Sequence, residues 1–305
     1  MLHRLFGLAL LLIGLLVIPL SHLAISSPPT EAGAKMPKPG TALYHARQCE
    51  KHLGPLPKFT CDDALDIPIT QDGKQVAVTA STRGKILKHC DKPAAFGAGC
   101  QVGNRVGRYQ GTHASGDPRP EVIFMTFCRD GGMGVIGHNS KTGATCFFSI
   151  EDGAPAFGDV AGPNDPGYEQ GWQTPEVVGK DGCVKCHMAD PFLHTPWIDQ
   201  VRNPENPSEP FVPLIADESS PYFVVGDGFP QPPGRDVAPL KDNKCTECHR
   251  AQCIPKFFNV RLDELQMPAP FDEIHKETDS EMIADREALR KWCQTLNIKY
   301  FGKTD

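Results

Sequence analysis

The chain has little positive charge to offer. Its 31 Lys and Arg are outnumbered by 37 Asp and Glu, the net charge is −6, and no Lys/Arg-rich tract breaks the mildly acidic balance. A nucleic-acid surface is built from clustered cations, so that class of partner is excluded. No glycine-rich phosphate loop is present, nor any Ser, His and Asp arrangement that argues for a nucleophilic hydrolase. His45 and His113 stand alone. The acidic, turn-rich stretch 151–182 lacks EF-hand spacing, which makes it a solvated linker rather than a calcium loop. Residues 41–155 contain no C-x-x-C pair and no helix with a long apolar face. From 203 to 239 prolines recur too often for regular helix over most of the stretch.

What is present begins at the N-terminus. Residues 1–26 read as an export segment: His3 and Arg4, a nearly unbroken apolar run over 5–20, then the small residues Ala24, Ser26 and Ser27. The run is almost long enough to span a bilayer, so both a cleaved signal peptide and a retained membrane anchor stay open. No cysteine follows it directly, which argues against lipid attachment there. Residues 27–40 form a flexible lead-in.

The strongest signal is cysteine spacing. Four of the 12 cysteines fall in Cys183-Val184-Lys185-Cys186-His187 and Cys245-Thr246-Glu247-Cys248-His249. C-x-x-C-H is the attachment signature of c-type haem. Two thiols three positions apart on a helical turn can both form thioethers to the vinyl groups of one porphyrin. The following histidine then sits under the iron. Cys183, Cys186, His187, Cys245, Cys248 and His249 are therefore the expected cofactor-binding residues. Two haem c groups are the expected cofactors, with His187 and His249 as proximal ligands. Four cysteines in two pairs also make a zinc-ribbon pattern. The histidine directly after each pair, the long gap between pairs and the export segment favour haem.

The other eight cysteines are Cys49, Cys61, Cys90, Cys100, Cys128, Cys146, Cys253 and Cys293. An even number in an exported chain implies a disulfide framework. Nearest-neighbour pairing is the expectation: Cys49–Cys61, Cys90–Cys100, Cys128–Cys146 and Cys253–Cys293.

Strand-like alternation appears at 75–80, 121–127 and 144–150. A glycine-rich stretch at 131–137 and a turn at 139–143 link the last two. This predicts a β-meander in which Cys128 and Cys146 staple neighbouring strands. His138, at the start of that turn, is a candidate iron ligand or a turn residue bonded to local backbone. Beyond the first motif, His194 lies seven residues past His187. Pro191 and Pro196 break any helix there, so His194 can swing to an iron as axial ligand, or serve a propionate or the fold. Phe192 and Trp197 suit a porphyrin face or an ordinary core. The apolar segments around Phe211 and Tyr222 suit a haem wall. Asp242 and Asn243 can cap the second attachment helix. Met267-Pro268 follows His249 by 18 residues. A capping box at Thr278 and Glu281 opens a helix whose apolar positions are Met282, Leu289, Trp292, Cys293 and Leu296.

Residues 180–297 resemble class I c-type cytochrome domains in the attachment helix, the Met-Pro loop and the closing Leu289-x-x-Trp292-Cys293. The run from Cys186 to Asp199 is similar to exported bacterial c-type cytochromes, and the two motifs together resemble a dihaem member. The resemblance implies Met267 as a sixth ligand. His194 and Met267 thus join His187 and His249 as expected metal ligands.

The expected fold class is α+β. A small disulfide-stapled β-rich domain (41–155) is followed by a linker (156–179) and a mainly α, loop-rich dihaem cytochrome c domain (180–305). The expected function is electron transfer between redox partner proteins in the periplasm or at the cell surface, as a carrier rather than a catalyst. Two alternatives stand beside it. One is a dihaem oxidoreductase of peroxidase type, which needs a five-coordinate iron. The other is a ligand-binding β domain with the haems as its redox outlet.

Overall fold

The computed structural model describes residues 36–94, 99–129, 131–150, 160–180, 183–187, 190–214 and 221–229, together with Ala284, Ala288 and Lys291. The described residues from Met36 onward belong to one compact unit.

Helix α1 (Ala42–Leu53) opens the described chain. Thr41 caps it by accepting from the Tyr44 amide at 3.2 Å, and Gly54, at φ 81°, closes it by donating to the Glu50 carbonyl. Ala42, His45, Ala46, Cys49 and Leu53 recur at helical spacing and form its buried stripe. No β-carbon fits at Gly54: it would lie 2.3 Å from the Thr112 carbonyl oxygen.

That stripe lies on a six-stranded mixed sheet. Its strands are β1 (Leu65–Asp66), β4 (Arg105–Thr112), β5 (Pro118–Arg129), β6 (Gly132–Asn139), β7 (Ala144–Ile150) and β8 (Phe223–Val224), in the spatial order β1-β4-β5-β6-β7-β8. All neighbours are antiparallel except β7 and β8, which run parallel. A separate hairpin joins β2 (Thr70–Gln71) and β3 (Lys74–Gln75) through Asp72 (φ 50°) and Gly73 (φ 74°). Asp-Gly tolerates that double positive φ. The Asp91 carboxylate clamps the turn, accepting from both amides at 2.9 and 3.0 Å.

Period-2 alternation sends the two sets of side chains to opposite faces. Val122, Phe124, Cys128, Met133, Val135, Cys146, Phe148 and Ile150 meet α1, Phe59 and Trp172 on the first face. Ile123, Met125, Phe127 and Ile136 meet Phe192, Trp197, Ile198, Val201 and Val212 on the second. Phe147, also on the second face, packs with Val178, Val184, Tyr222, Val224 and Phe229. These residues come from α3 (Pro175–Lys180), α4 (Cys183–Cys186) and the segment of β8. A four-residue helix α2 (Tyr168–Gly171) and a 3-10 turn (Ile198–Gln200) complete the described elements.

The α+β class with a mainly α C-terminal cytochrome domain is overturned. Among the described residues the fold is mostly β, and every helix after α1 has six residues or fewer. The described segments after 180 instead cover the second face of the sheet. The physical reason is the sheet itself. Nearly every residue of β7 is buried, so both of its faces need a cover, and α1 can supply only one. The strand expected at 75–80 shrinks to Lys74–Gln75. Of the expected C-terminal helix, Ala284, Ala288 and Lys291 are helical and exposed.

Among the described residues three disulfides are present: Cys49–Cys146, Cys61–Cys128 and Cys90–Cys100. Only the last is a nearest-neighbour pair. Cys128 and Cys146 cannot staple adjacent strands because β6 runs between β5 and β7. Two strand spacings alone put them at least about 9–10 Å apart, beyond the ~7 Å reach of a disulfide. Cys49 reaches Cys146 because α1 lies across the sheet, and Cys61 reaches Cys128 at the start of the chain's return to β1. Cys253 and Cys293 lie outside the described residues. Among the described residues no helix is long and apolar enough to cross a membrane.

Candidate functional site

The first C-x-x-C-H motif sits at the β7–β8 side of the second face. Helix α4 is a single turn, and the His187 amide donates to the Cys183 carbonyl at 2.8 Å. One turn has no stability of its own. Tertiary contacts hold it. Val184 is fully buried among Phe147, Val178, Tyr222, Val224 and Phe229. The His187 ring packs on Phe147 with centroids 5.7 Å apart. The Tyr222 hydroxyl donates to the His187 carbonyl, an acceptor just past the helix end.

His187 is a half-buried residue whose Nδ1 is sealed from solvent, with no hydrogen-bond partner among the described residues. Burial lowers its pKa from 6.5 to about 4, against the pull of the Asp190 and Pro191 carbonyls. The ring is neutral at physiological pH, which is the ligating form of histidine. Cys183 is half-buried at the head of the turn. A turn of this kind fits covalent haem attachment: one thiol near the surface at its start, a neutral histidine at its end, and a buried ring nitrogen that could still donate. Cys245, Cys248, His249 and Met267 lie outside the described residues.

His138 is not a turn residue. It ends up inside strand β6, 3% exposed, opposite Thr145 in β7. Its Nδ1 and Thr145 Oγ1 are 2.9 Å apart. Its ring stacks on Tyr222 at 6.4 Å and meets the Phe192 edge at 6.1 Å. Tyr222 therefore stands between His138 and the carbonyl of His187. Its own pKa is pushed well above the usual tyrosine value, chiefly by burial and then by the negative charges of Asp190 and Cys183. The hydroxyl stays protonated and remains a donor.

His194 lies apart from this group. Its Nδ1 is 2.8 Å from Asp199 Oδ1, and its Nε2 faces the Pro213 carbonyl at 3.4 Å. Asp199 is 8% exposed, and its second oxygen has no hydrogen-bond partner among the described residues. Phe192 and Trp197 are both taken up by the core of the second face, where Trp197 meets Phe127 edge-on at 5.3 Å. The structure thus brings His138 and His187 together around Tyr222 and holds His194 elsewhere. Among the described residues no three His, Cys, Asp or Glu converge as a metal-holding group.

A third histidine lies behind the first motif. His45 on α1 is 2% exposed, and its Nε2 is 3.0 Å from the Phe147 carbonyl oxygen. Its ring also touches Phe229 and Phe148. Burial lowers its pKa to about 4, partly offset by the bond to the Phe147 carbonyl.

The segment of Tyr222 is expected from sequence as a haem wall, but its hydroxyl bond to the motif is not, and Thr145, Asp199 and His45 carry no such expectation. Asp199 is five residues from His194 and was within reach of a local search. Tyr222 and Thr145 are 77 residues apart, and no local pattern shows that they meet.

No protein-family model, curated protein or solved structure matches the chain.

Proposed function

We propose that the chain is an exported electron carrier with two covalently attached c-type haems, one on Cys183, Cys186 and His187 and one on Cys245, Cys248 and His249. The repeated C-x-x-C-H carries this reading. The half-buried, neutral His187 directly after a one-turn helix supports it. When bound, each haem supplies a one-electron iron couple that exchanges electrons with redox partner proteins.

The chain's own residues do the rest. Phe147 packs on the His187 ring, backed by Val184 in the same cluster, and the ring's Nδ1 is kept from water. The buried Nδ1 can donate to an acceptor and so fix the ring's tautomer. Distal ligands are proposed from His194, Met267 and His138. The Asp199 carboxylate on Nδ1 of His194 leaves Nε2 as the ligating atom, provided it parts from the Pro213 carbonyl. The three disulfides support an oxidising compartment, hence the periplasm or cell surface, with the N-terminal segment either cleaved or kept as an anchor.

The test is expression in a host with c-haem maturation, followed by pyridine haemochrome quantitation and intact mass. Two haems per chain are expected, falling to one in Cys186→Ala and in Cys248→Ala. Low-spin spectra unmoved by carbon monoxide identify a carrier, and a carbon monoxide-binding fraction would turn the reading toward a dihaem enzyme. Full-length protein without covalent haem would overturn it, and metal analysis would then test for zinc.

A further inference from the structure

The structure points to a control of the first attachment motif from far upstream in the chain. Resting on the haem reading above, we infer that Tyr222 is the positioning residue of the Cys183–His187 turn. Through Tyr222, the β6–β7 hairpin turn sets where His187 stands.

Asn139 organises the turn, its side-chain oxygen accepting from the Lys141 and Thr142 amides at 3.0 and 3.2 Å. The Gly143 amide closes the turn on the Asn139 carbonyl at 2.7 Å. Gly143 stands at φ 82°, a conformation that disfavours any residue with a β-carbon. A β-carbon there would also lie 2.2 Å from the Pro221 carbonyl carbon and 2.5 Å from the Tyr222 amide nitrogen. The incoming chain at 221–222 therefore passes against bare backbone, and only glycine leaves it room.

That close pass seats β8. The Phe223 amide donates to the Gly143 carbonyl and the Val225 amide to the Thr145 carbonyl, each at 2.9 Å. Ala144 pairs with Phe223 and Thr145 with Val224. With β8 seated, Tyr222 is 7% exposed on the second face, stacked on His138. Its hydroxyl reaches one group of the attachment turn, the His187 carbonyl. Thr145 supports it from the sheet: its hydroxyl donates to the Gly143 carbonyl at 3.1 Å and lies next to both His138 and Tyr222.

The turn needs this contact. Among the described residues its apolar anchors are Val184 and Cys183 against the core cluster and the His187 ring on Phe147. Apolar contacts fix depth and do little to fix rotation about the turn's axis. A directional bond to the last carbonyl of the turn removes that freedom. The angle at which the His187 ring would meet a bound haem then depends on Tyr222.

The experiment compares wild type with Tyr222→Phe, which keeps the ring stack and removes only the hydroxyl. Three quantities are read on full-length protein: haem content, the midpoint potential and low-spin EPR signal of each haem, and amide exchange of the 183–187 peptide. The expected result is two haems in both proteins. The potential and EPR signal of one haem shift, and exchange in the 183–187 peptide is about tenfold faster, about 1.4 kcal/mol of local opening. Gly143→Ala should move the same haem signal although it touches neither the motif nor the tyrosine hydroxyl. If both haem signals and the exchange match wild type in Tyr222→Phe, the positioning role is overturned and the haem reading stands. If wild type carries no haem, the haem reading falls and this inference falls with it.

Discussion

The two faces of the central sheet are held in different ways. The first face is closed by α1 and fastened by two long-range cross-links, Cys49–Cys146 and Cys61–Cys128, which span 97 and 67 residues of sequence. Its core runs from Leu53 and Phe59 to Phe148 and Trp172, with His45, Thr126 and Asn139 buried among these apolar groups. The second face is covered by short elements and loops and is fastened by polar contacts set among aromatics. These are Tyr222 to the His187 carbonyl, His138 to Thr145, and His194 to Asp199. One face supplies stability. The other spends some of it on directional bonds, the usual cost of holding histidines at defined angles.

Breaking the covalent fastening of the first face should cost most. Replacing Cys49 and Cys146 together by alanine frees a loop of nearly a hundred residues, and a loss of about 4–5 kcal/mol is expected from the urea midpoint. Next comes the wall of the second face. Phe147→Ala should cost about 3–4 kcal/mol. It should also raise the His187 pKa from about 4 toward 6.5 in haem-free protein, read by NMR titration.

Acid probes the seam between the faces. His45 has a folded pKa of about 4 against 6.5 unfolded, so the unfolded chain takes up its proton first as pH falls. Its contribution is intact above pH 6.5 and is lost progressively between 6.5 and about 4, worth up to about 3 kcal/mol. His45→Gln keeps a donor for the Phe147 carbonyl and should flatten that part of the Tm–pH curve.

Gly143→Ala tests the backbone route to β8. A strained φ and the contact with Pro221 predict a loss of about 1–3 kcal/mol, with faster amide exchange at Phe223 and Val225. The smallest effect belongs to the exposed pair Glu176–Lys180 on α3. Glu176→Gln should leave the urea midpoint unmoved, because solvent and salt screen such a pair.

Local pattern was legible wherever chemistry or periodicity is local. The strands around Phe124 and Phe147, the turn at 139–143 and the Cys90–Cys100 pair could be read because each is specified within a few residues. β4 went unread because Gly107 and Gly111 dilute its alternation. Both glycines are needed: a β-carbon would meet Thr126 Oγ1 at 2.4 Å from one and the Val122 side chain at 2.5 Å from the other. The apolar run at Phe192, Trp197 and Ile198 was legible as buried but not as to what it would be buried against. It covers the sheet rather than founding a helical domain.

The sequence by itself determined the chemistry on offer. Two C-x-x-C-H motifs, an even set of further cysteines, an apolar N-terminal run and an alternating meander are all properties of residue type and spacing. The tertiary structure decided how these parts are joined. Cys49 reaches Cys146 only because α1 lies across the sheet. His138 is buried only because β6 and β7 pair in the register that sets it against Thr145. Tyr222 reaches His187 only because a parallel strand seats beside a glycine 79 residues before it. Spacing along a chain fixes contacts within a turn or a hairpin. Contacts across a sheet depend on register and packing, which no short stretch of sequence contains.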